Sequence, residues 1–490
     1  MPTPPADFPV PNFPLPDRPA LEALLGKAFG APVVLDHVEH LAPWAVLRAH
    51  LAGPDAGKPM FPTEPDAGKS MFPAGPDTET PAQPIEPNVE TPMLPAGPGD
   101  ETPAYPAGPD AGKPTFSGGP ESGPPSHPAR PSSGPPGSVI VKWLRSDPSG
   151  SRMDPGQVVT ERAALRFLSE DLGLHLAPRV LADDMAASLL VLEDLAPRTP
   201  LDRVLRRDGA VPAAAGLAAF ARALGELGAA TAGHAERYLA RRPVTGLGLT
   251  CSDAEAWRRA VEHGAGLGVA LPGRAETELA RLLAELADPG PFLALTNGDA
   301  EANNFLTTDG FLTTEGFPTT GGFLTTDGFP ATDGDDHADD YGDGRLIDFE
   351  FAGYRHALTS AVCLYVPGPA WLTVSDPIAT GLEAGYRSAL ARGVPEADDD
   401  HLFGSGLASA CLTWAATRFT RFPTLDARPP GENSRLQMVF TLDAAARAAE
   451  HHRALPHLSG WARRVAQVLR RRWPDTDVDR TAYPAYTPRR

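Results

Sequence analysis

The chain has 490 residues and a mass of 51.6 kDa, with 42% hydrophobic and 21% charged residues. That is enough apolar material for one large core or two, and it excludes a wholly disordered protein, a collagen-like one and a small disulfide scaffold. The net charge of −19 argues against broad nucleic-acid binding, because displacing counterions from phosphates needs a basic surface. Cys251, Cys363 and Cys411 are too few and too scattered for a disulfide framework or a zinc site, and they imply a reducing, cytoplasmic setting. The N-terminus lacks the basic and apolar regions of a signal peptide, and no run approaches 18 apolar residues, so no membrane span is expected.

In chain order, a Pro-rich tail (1–20) precedes strand-like segments at Val33–Leu41 and Trp44–Leu51. A Pro/Gly-rich stretch follows, about 54–137, built on the near-repeat Gly-Pro-Asp-Ala-Gly-Lys (53–58, with copies at 64–69 and 108–113). Proline at that density removes backbone donors and blocks helix and central strand, so this stretch reads as a disordered insertion between two strands. The second of those strands is Ser138–Leu144. A helical stretch, Val158–Leu172, and a strand, Leu189–Glu193, come next. From Leu201 helices dominate, as in Ala213–Ala240, where Leu217, Phe220, Leu224 and Leu227 form one stripe. A second insertion, about 311–344, repeats the unit Phe-Leu-Thr-Thr-Asp-Gly of 305–310 and ends in an acidic run. Removing it joins Asn304-Phe305-Leu306-Thr307-Thr308-Asp309-Gly310 to Arg345-Leu346-Ile347-Asp348, two short strands across an Asp-Gly turn. The expected architecture is α+β: a small antiparallel-sheet lobe (21–194), a larger mainly helical lobe (195–475) and a C-terminal tail (476–490).

Lys142 lies inside an apolar strand. An edge-strand lysine that blunts sheet pairing is one reading. Yet the basic side chains of this chain are otherwise nearly all arginine, and Lys27 and Lys142 are the two lysines outside the Pro-rich insertion. Glu161 is either a first-turn acid favouring the positive helix end or a carboxylate that holds Lys142. Asp299 and Asn304 stand five apart on a loop entering a strand, and Asp348 ends the partner strand. An Asn and an Asp at one end of a hairpin offer two hard oxygens to Mg²⁺, with Asp299 beside them as a base toward a hydroxyl. Each of these residues is also a common turn former.

The ordered set Lys142, Glu161, Glu193-Asp194-Leu195, Asp299-x-x-x-x-Asn304 and Ile347-Asp348-Phe349 resembles the protein-kinase-like fold, specifically the aminoglycoside phosphotransferase and choline kinase family. The resemblance covers roughly 21–475 without the insertions. It implies ATP and Mg²⁺ as cofactors. Lys142 would hold the α/β-phosphates and Glu161 would pair with it. Glu193, Asp194 and Leu195 would form the inter-lobe hinge whose backbone binds adenine. Asp299 would be the base or hydroxyl-orienting group, and Asn304 and Asp348 the magnesium ligands. The acceptor would be a small hydroxylated molecule, in that family often a cationic amino-sugar or amino alcohol, with neither nucleic acid nor membrane as partner. Three departures stand out: Asn297 replaces the usual histidine, Glu350 stands where protein kinases have glycine, and the turn Leu41–Trp44 has no glycine to let backbone N–H groups approach phosphate. The missing glycine and Asn297 favour a second reading, a pseudokinase or nucleotide-responsive binding module, as does an insertion placed between Asn304 and Asp348.

Other patterns carry less. Asp66-Ala67-Gly68-Lys69-Ser70 resembles the end of a Walker loop, but Thr63 replaces the first glycine and no strand precedes it. The acidic run Asp333–Asp343 lacks EF-hand spacing. Trp371, Trp414 and Trp461 are expected to pack in the core rather than line a pocket.

Overall fold

A computed structural model describes residues 17–42, 46–52, 136–143, 156–242, 251–308, 344–431 and 433–489. The Walker-like stretch, the repeat insertion beyond Thr308 and the turn residues Pro43 and Trp44 lie outside them.

Helix α1 (Arg18–Phe29) carries Pro19 in its first turn and ends at Gly30. It therefore begins inside the segment expected to be a tail. Strands β1 (Leu35–Ala42), β2 (Val46–Leu51) and β3 (Ser138–Trp143) follow, then α2 (Gly156–Arg166), which continues as a π turn to Asp171. Strands β4 (Val180–Asp184) and β5 (Leu189–Glu193) complete an antiparallel sheet of order β1-β2-β3-β5-β4. β4 escaped the sequence reading because Asp183 and Asp184 break its apolar pattern. The long Pro/Gly-rich insertion joins two neighbouring strands, paired from Val46 with Lys142 to His50 with Ser138.

Side-chain alternation splits this sheet into two faces. Val139, Val141 and Trp143 of β3 pack with Leu47, Val191, Leu21 and Leu25 in a small core beneath α1. Ile140 and Lys142 point the other way, and Leu190 and Leu192 of β5 join the large core. β3 is bonded on both sides, by β2 and β5, so Lys142 is not an edge-strand lysine.

After β6 (Thr199–Pro200) the chain is mainly helical: α3 (Leu201–Asp208), α4 (Ala214–Thr231), α5 (Ala235–Arg241), α6 (Cys251–Gly266) and α7 (Gly273–Ala287). The long helix expected over 213–240 is two helices, broken at Ala232-Gly233-His234 where Gly233 takes a positive φ. Short strands β7 (Leu293–Thr296), β8 (Phe305–Thr307), β9 (Arg345–Leu346) and β10 (Gly353–His356) carry the site. β7 pairs with β10, and β8 pairs with β6 and β9. The expected hairpin is present: Phe305 pairs with Leu346 and Leu306 with Arg345 on either side of the repeat insertion. Helices α8 (Val362–Tyr365), α9 (Leu382–Ala391), α10 (Asp400–Phe419), α11 (Phe422–Asp426), α12 (Asn433–His451) and α13 (Pro456–Arg472) finish the lobe. α10 is capped by Asp399, whose carboxylate accepts from the His401 and Leu402 N–H groups.

The molecule is thus mixed α/β and mostly helical, with a small antiparallel sheet at one end. Two of the three tryptophans behave as expected: Trp371 and Trp461 are buried, and Trp461 Nε1 donates to the Val269 carbonyl at 3.1 Å. The C-terminal stretch expected as a tail is not loose. Tyr486 is buried, the Leu372 N–H donates to the Thr487 carbonyl at 2.8 Å, and the Arg489 N–H to the Ala370 carbonyl at 2.9 Å.

Candidate functional site

The alternation that buries Val141 and Trp143 under α1 aims Lys142 at α2. Glu161 is not in the first helical turn, since α2 begins at Gly156, and its side chain is 3% exposed. That depth removes the simple helix-end explanation. Lys142 Nζ lies 2.7 Å from Glu161 Oε1 and 2.7 Å from Asp348 Oδ1. Burial alone would lower the lysine pKa, but the two carboxylates outweigh it and hold the ammonium firmly cationic. Burial pushes the Glu161 carboxyl up against the pull of Lys142, and the Phe349 N–H also bonds it. Asp348 reaches the lysine from a left-handed backbone, φ 65°, which a non-glycine residue holds only where its surroundings fix it.

Asp299 and Asn304 form the second half of the site. Asn304 Nδ2 donates to the Asp299 carbonyl at 2.9 Å and to Asp299 Oδ2 at 3.1 Å. The Ile347 N–H donates to the Asn304 carbonyl at 2.9 Å, so the hairpin ties this loop to the residue before Asp348. Gly298 makes the loop possible: its φ is 79°, and a Cβ there would lie 2.0 Å from the Phe351 carbonyl oxygen. Asn297 is fully buried and donates through Nδ2 to the Asp299 carbonyl at 3.2 Å. It supports the loop from behind.

Charge in the cluster is unbalanced. Burial raises the Asp299 pKa, Asp348 raises it further, and the Asn304 amide opposes both. Glu350 is pushed up to about 7, first by burial and then by Asp348. Asp348, Glu350 and Glu161 face the ammonium of Lys142, and Asp299 lies beside Asp348. Such an excess of carboxylate suits a divalent cation. Among the described residues no group of three or more His, Cys, Asp or Glu side chains converges as a metal cage. Magnesium needs no such cage: it is held through one or two protein oxygens plus phosphates and water. Asn304 Oδ1 already accepts from Asn303 Nδ2 at 2.8 Å, but an amide oxygen has a second lone pair. The donors present therefore fit Mg²⁺ bound with a polyphosphate.

The segment Glu193-Asp194-Leu195 does more structural work than expected. Asp194 Oδ2 accepts from Arg48 Nε at 2.7 Å and from Ser138 Oγ at 2.6 Å, tying β5 to β2 and β3. Burial would raise its pKa, but these bonds outweigh it and hold it low. Glu193 takes Arg179 Nε at 3.2 Å, and its own N–H donates to the Arg179 carbonyl at 2.9 Å. The Glu193 amide is thus committed to the sheet, and Leu195 is buried.

Sequence reasoning missed a cavity of about 280 Å³ lined by the loop Thr296–Glu301 together with Asp253, Arg355, Cys363, Thr413, Trp414 and Thr417, among others. Trp414, expected in the core, is part of its wall. Asp299 lines it, whereas Lys142, Glu161, Asn304 and Asp348 do not. Asp299 therefore stands between the lysine–carboxylate cluster and the cavity. Glu301 also lines it; burial, then Asp299, pushes its carboxyl up to about 8. The lining residues are scattered over four helices, the strands β7 and β10 and the segments between them, so no sequence spacing could have exposed them.

No family model matches the chain, and no curated protein does. Among solved structures it is similar to the choline kinase LicA from Streptococcus pneumoniae, at 12% identity and a TM-score of 0.31, over 63% of this chain and 86% of that one. At that identity and score the likeness adds nothing to what the side chains themselves show.

Proposed function

We propose that this chain is a phosphotransferase that moves the γ-phosphate of Mg-ATP to a hydroxyl of a small molecule held in the 280 Å³ cavity. The observation that carries this reading is the position of Asp299. It touches the Asn304 amide on the side of the lysine–carboxylate cluster, and it lines the cavity on the other. A carboxylate so placed can accept the proton of a hydroxyl nucleophile while the cluster holds the phosphates.

The roles of this chain's residues follow from the geometry. Lys142 would exchange its bond to Asp348 for phosphate oxygens, with Glu161 keeping its position. Asn304 and Asp348 would supply protein oxygens to Mg²⁺, which contributes neutralisation of charge between the phosphates. Asp299 would orient the acceptor hydroxyl and take its proton; its raised pKa makes it a stronger base than an exposed aspartate. Catalysis would then consist of positioning and charge neutralisation, as phosphoryl transfer demands.

The pseudokinase reading draws on the insertion between Asn304 and Asp348. Its physical basis is weakened by the paired β8–β9 hairpin and by the 2.9 Å bond from Ile347 to Asn304. The test is ADP formation from Mg-ATP with hydroxylated amines and polyols, comparing wild type with Asp299→Asn. Acceptor-dependent ADP that disappears in the variant supports phosphotransfer. ATP binding without turnover for any acceptor supports the binding module.

A further inference from the structure

Arg355 lines the same cavity, and the phosphotransfer reading leaves it without a task. Among the described residues no hydrogen bond or ion pair reaches its guanidinium. Burial lowers its pKa; Asp253 of α6 opposes from beyond ion-pair distance, Arg242 just past α5 adds to the lowering, and Tyr238 of α5 opposes. Arg242 brings a second positive charge, and its own Nε is buried without a partner among the described residues. Buried cations so placed are costly unless something supplies the missing acceptor.

The strand pair beneath it aims the side chain. In the β7–β10 ladder Arg355 stands opposite Ala294, and Gly353 opposite Thr296. Residues 353 and 355 share a face, and Arg355 Nε lies 3.7 Å from where a Cβ at Gly353 would be. The arginine thus leans over the bare glycine toward Thr296, where the loop to Asp299 departs. Thr296 and Asp299 are three residues apart, at most about 11 Å at Cα. One small molecule can therefore touch both Arg355 and Asp299. Two more polar atoms of the cavity residues lack partners among the described residues. Trp414 Nε1 is a buried donor without an acceptor, and Asn297 Oδ1, next to Asp299, is a buried acceptor without a donor. The cavity is polarised: acceptors cluster at the Asp299 loop, and the guanidinium and indole N–H groups call for acceptors from the ligand.

We propose that Arg355 is a specificity-determining residue that receives a carboxylate of the acceptor, so that the cavity takes a hydroxy acid with its hydroxyl at Asp299. This rests on reading the cavity as the acceptor site. A guanidinium fork matches a carboxylate with two parallel N–H···O bonds. Arg355 and Arg242 against Asp253 leave one positive charge, which a carboxylate neutralises. A phosphate dianion would leave an uncompensated negative charge close to Asp299, so the carboxylate is the better match. The acceptor hydroxyl that gives its proton to Asp299 is held by the loop, and the neighbouring hydroxyls of a polyhydroxy acid supply the donor that Asn297 Oδ1 lacks.

The test is calorimetric titration of the full chain, without nucleotide, with three probes that share one polyhydroxylated carbon chain. Gluconate ends it in a carboxylate, glucitol in a hydroxymethyl group and glucamine in an aminomethyl group. The proposal expects gluconate to bind at least about tenfold tighter than the other two. It expects Arg355→Gln to bring gluconate down to the affinity of glucitol, while glucitol affinity and melting temperature stay unchanged. Arg355→Lys, which keeps the charge but not the fork, should restore part of the preference. Equal binding of the three probes, tighter binding of glucamine, no gluconate binding, or undiminished gluconate binding by Arg355→Gln would overturn it. The wild-type ranking decides the matter even if the variants fold poorly. Because the titration contains no ATP, gluconate binding without turnover would strike the phosphotransfer reading alone. Turnover of an amine or a polyol without gluconate binding would strike this proposal alone.

Discussion

Replacing Lys142 with methionine leaves Glu161 buried and without its cation. Removing one partner of a buried ion pair costs about 3–5 kcal/mol if the other charge persists. Glu161 has an escape, because it can take up a proton. From its ordinary value of 4.5, protonation at pH 7 costs at most about 3.4 kcal/mol, at about 1.4 kcal/mol per pH unit. The expected destabilisation of Lys142→Met is therefore about 3 kcal/mol at pH 7 and below about 1 kcal/mol at pH 5. The sign follows from linkage. In the variant the folded-state pKa of Glu161 lies above the unfolded one, so the penalty is absent below the unfolded value and grows as pH rises. Asp348 adds little, since its side chain is 31% exposed and water can solvate it. Urea unfolding at the two pH values measures this, with Lys142→Met/Glu161→Gln as the companion. The double variant should regain most of the loss at pH 7. A loss equal at both pH values, or no recovery in the double variant, would refute the assignment of Glu161 as a carboxylate buried for the sake of Lys142.

Three further outcomes are expected. Gly298→Ala must move a Cβ placed 2.0 Å from the Phe351 carbonyl at a φ of 79°, so calorimetric unfolding should show a loss above about 2 kcal/mol; a loss below about 0.5 kcal/mol would contradict the close approach of Gly298 to Phe351. His356, buried against Phe292, has its pKa lowered by burial to about 4. Its folded value lies below the usual 6.5, so as pH falls from 6.5 to 4 the folded state should lose roughly 3 kcal/mol that His356→Asn, still able to accept from the Leu358 N–H, does not lose. An identical acid limb in both proteins would contradict this. Deleting 311–344 should leave soluble protein of equal or up to about 2 kcal/mol greater stability, because shortening a loop lowers its closure entropy; insolubility would sink the view that the repeat extends a hairpin turn.

Much of the site was legible because its chemistry is tied to local pattern. Lys142 stood out as a lysine among arginines in an apolar strand, and the hairpin could be read through the insertion because its two halves still match across an Asp-Gly turn. Glu161 was found for the right partner but assigned to the wrong helical turn, since nothing in the sequence marks Gly156 as the helix start. Glu193 and Asp194 were read for the backbone they offer, whereas their side chains brace the sheet through contacts 14 and 146 residues away in sequence. The cavity, Glu301 and the clasp of the C-terminal stretch were invisible. They depend on packing among α8, α10, α12 and residues 484–489, which no periodicity encodes.

In the proposed phosphotransfer, Asp299 would couple a magnesium-nucleotide site to an acceptor cavity. The most direct measurement is ADP release from Mg-ATP by the full chain with gluconate, choline and myo-inositol, for wild type, Asp299→Asn and Asn304→Ala. Phosphotransfer should give acceptor-stimulated ADP in the wild type, requiring Mg²⁺. It should show a loss of at least a hundredfold in kcat for Asp299→Asn, and for Asn304→Ala a larger magnesium requirement. ADP release unaffected by Asp299→Asn, or no binding of Mg-ATP at all, would contradict it.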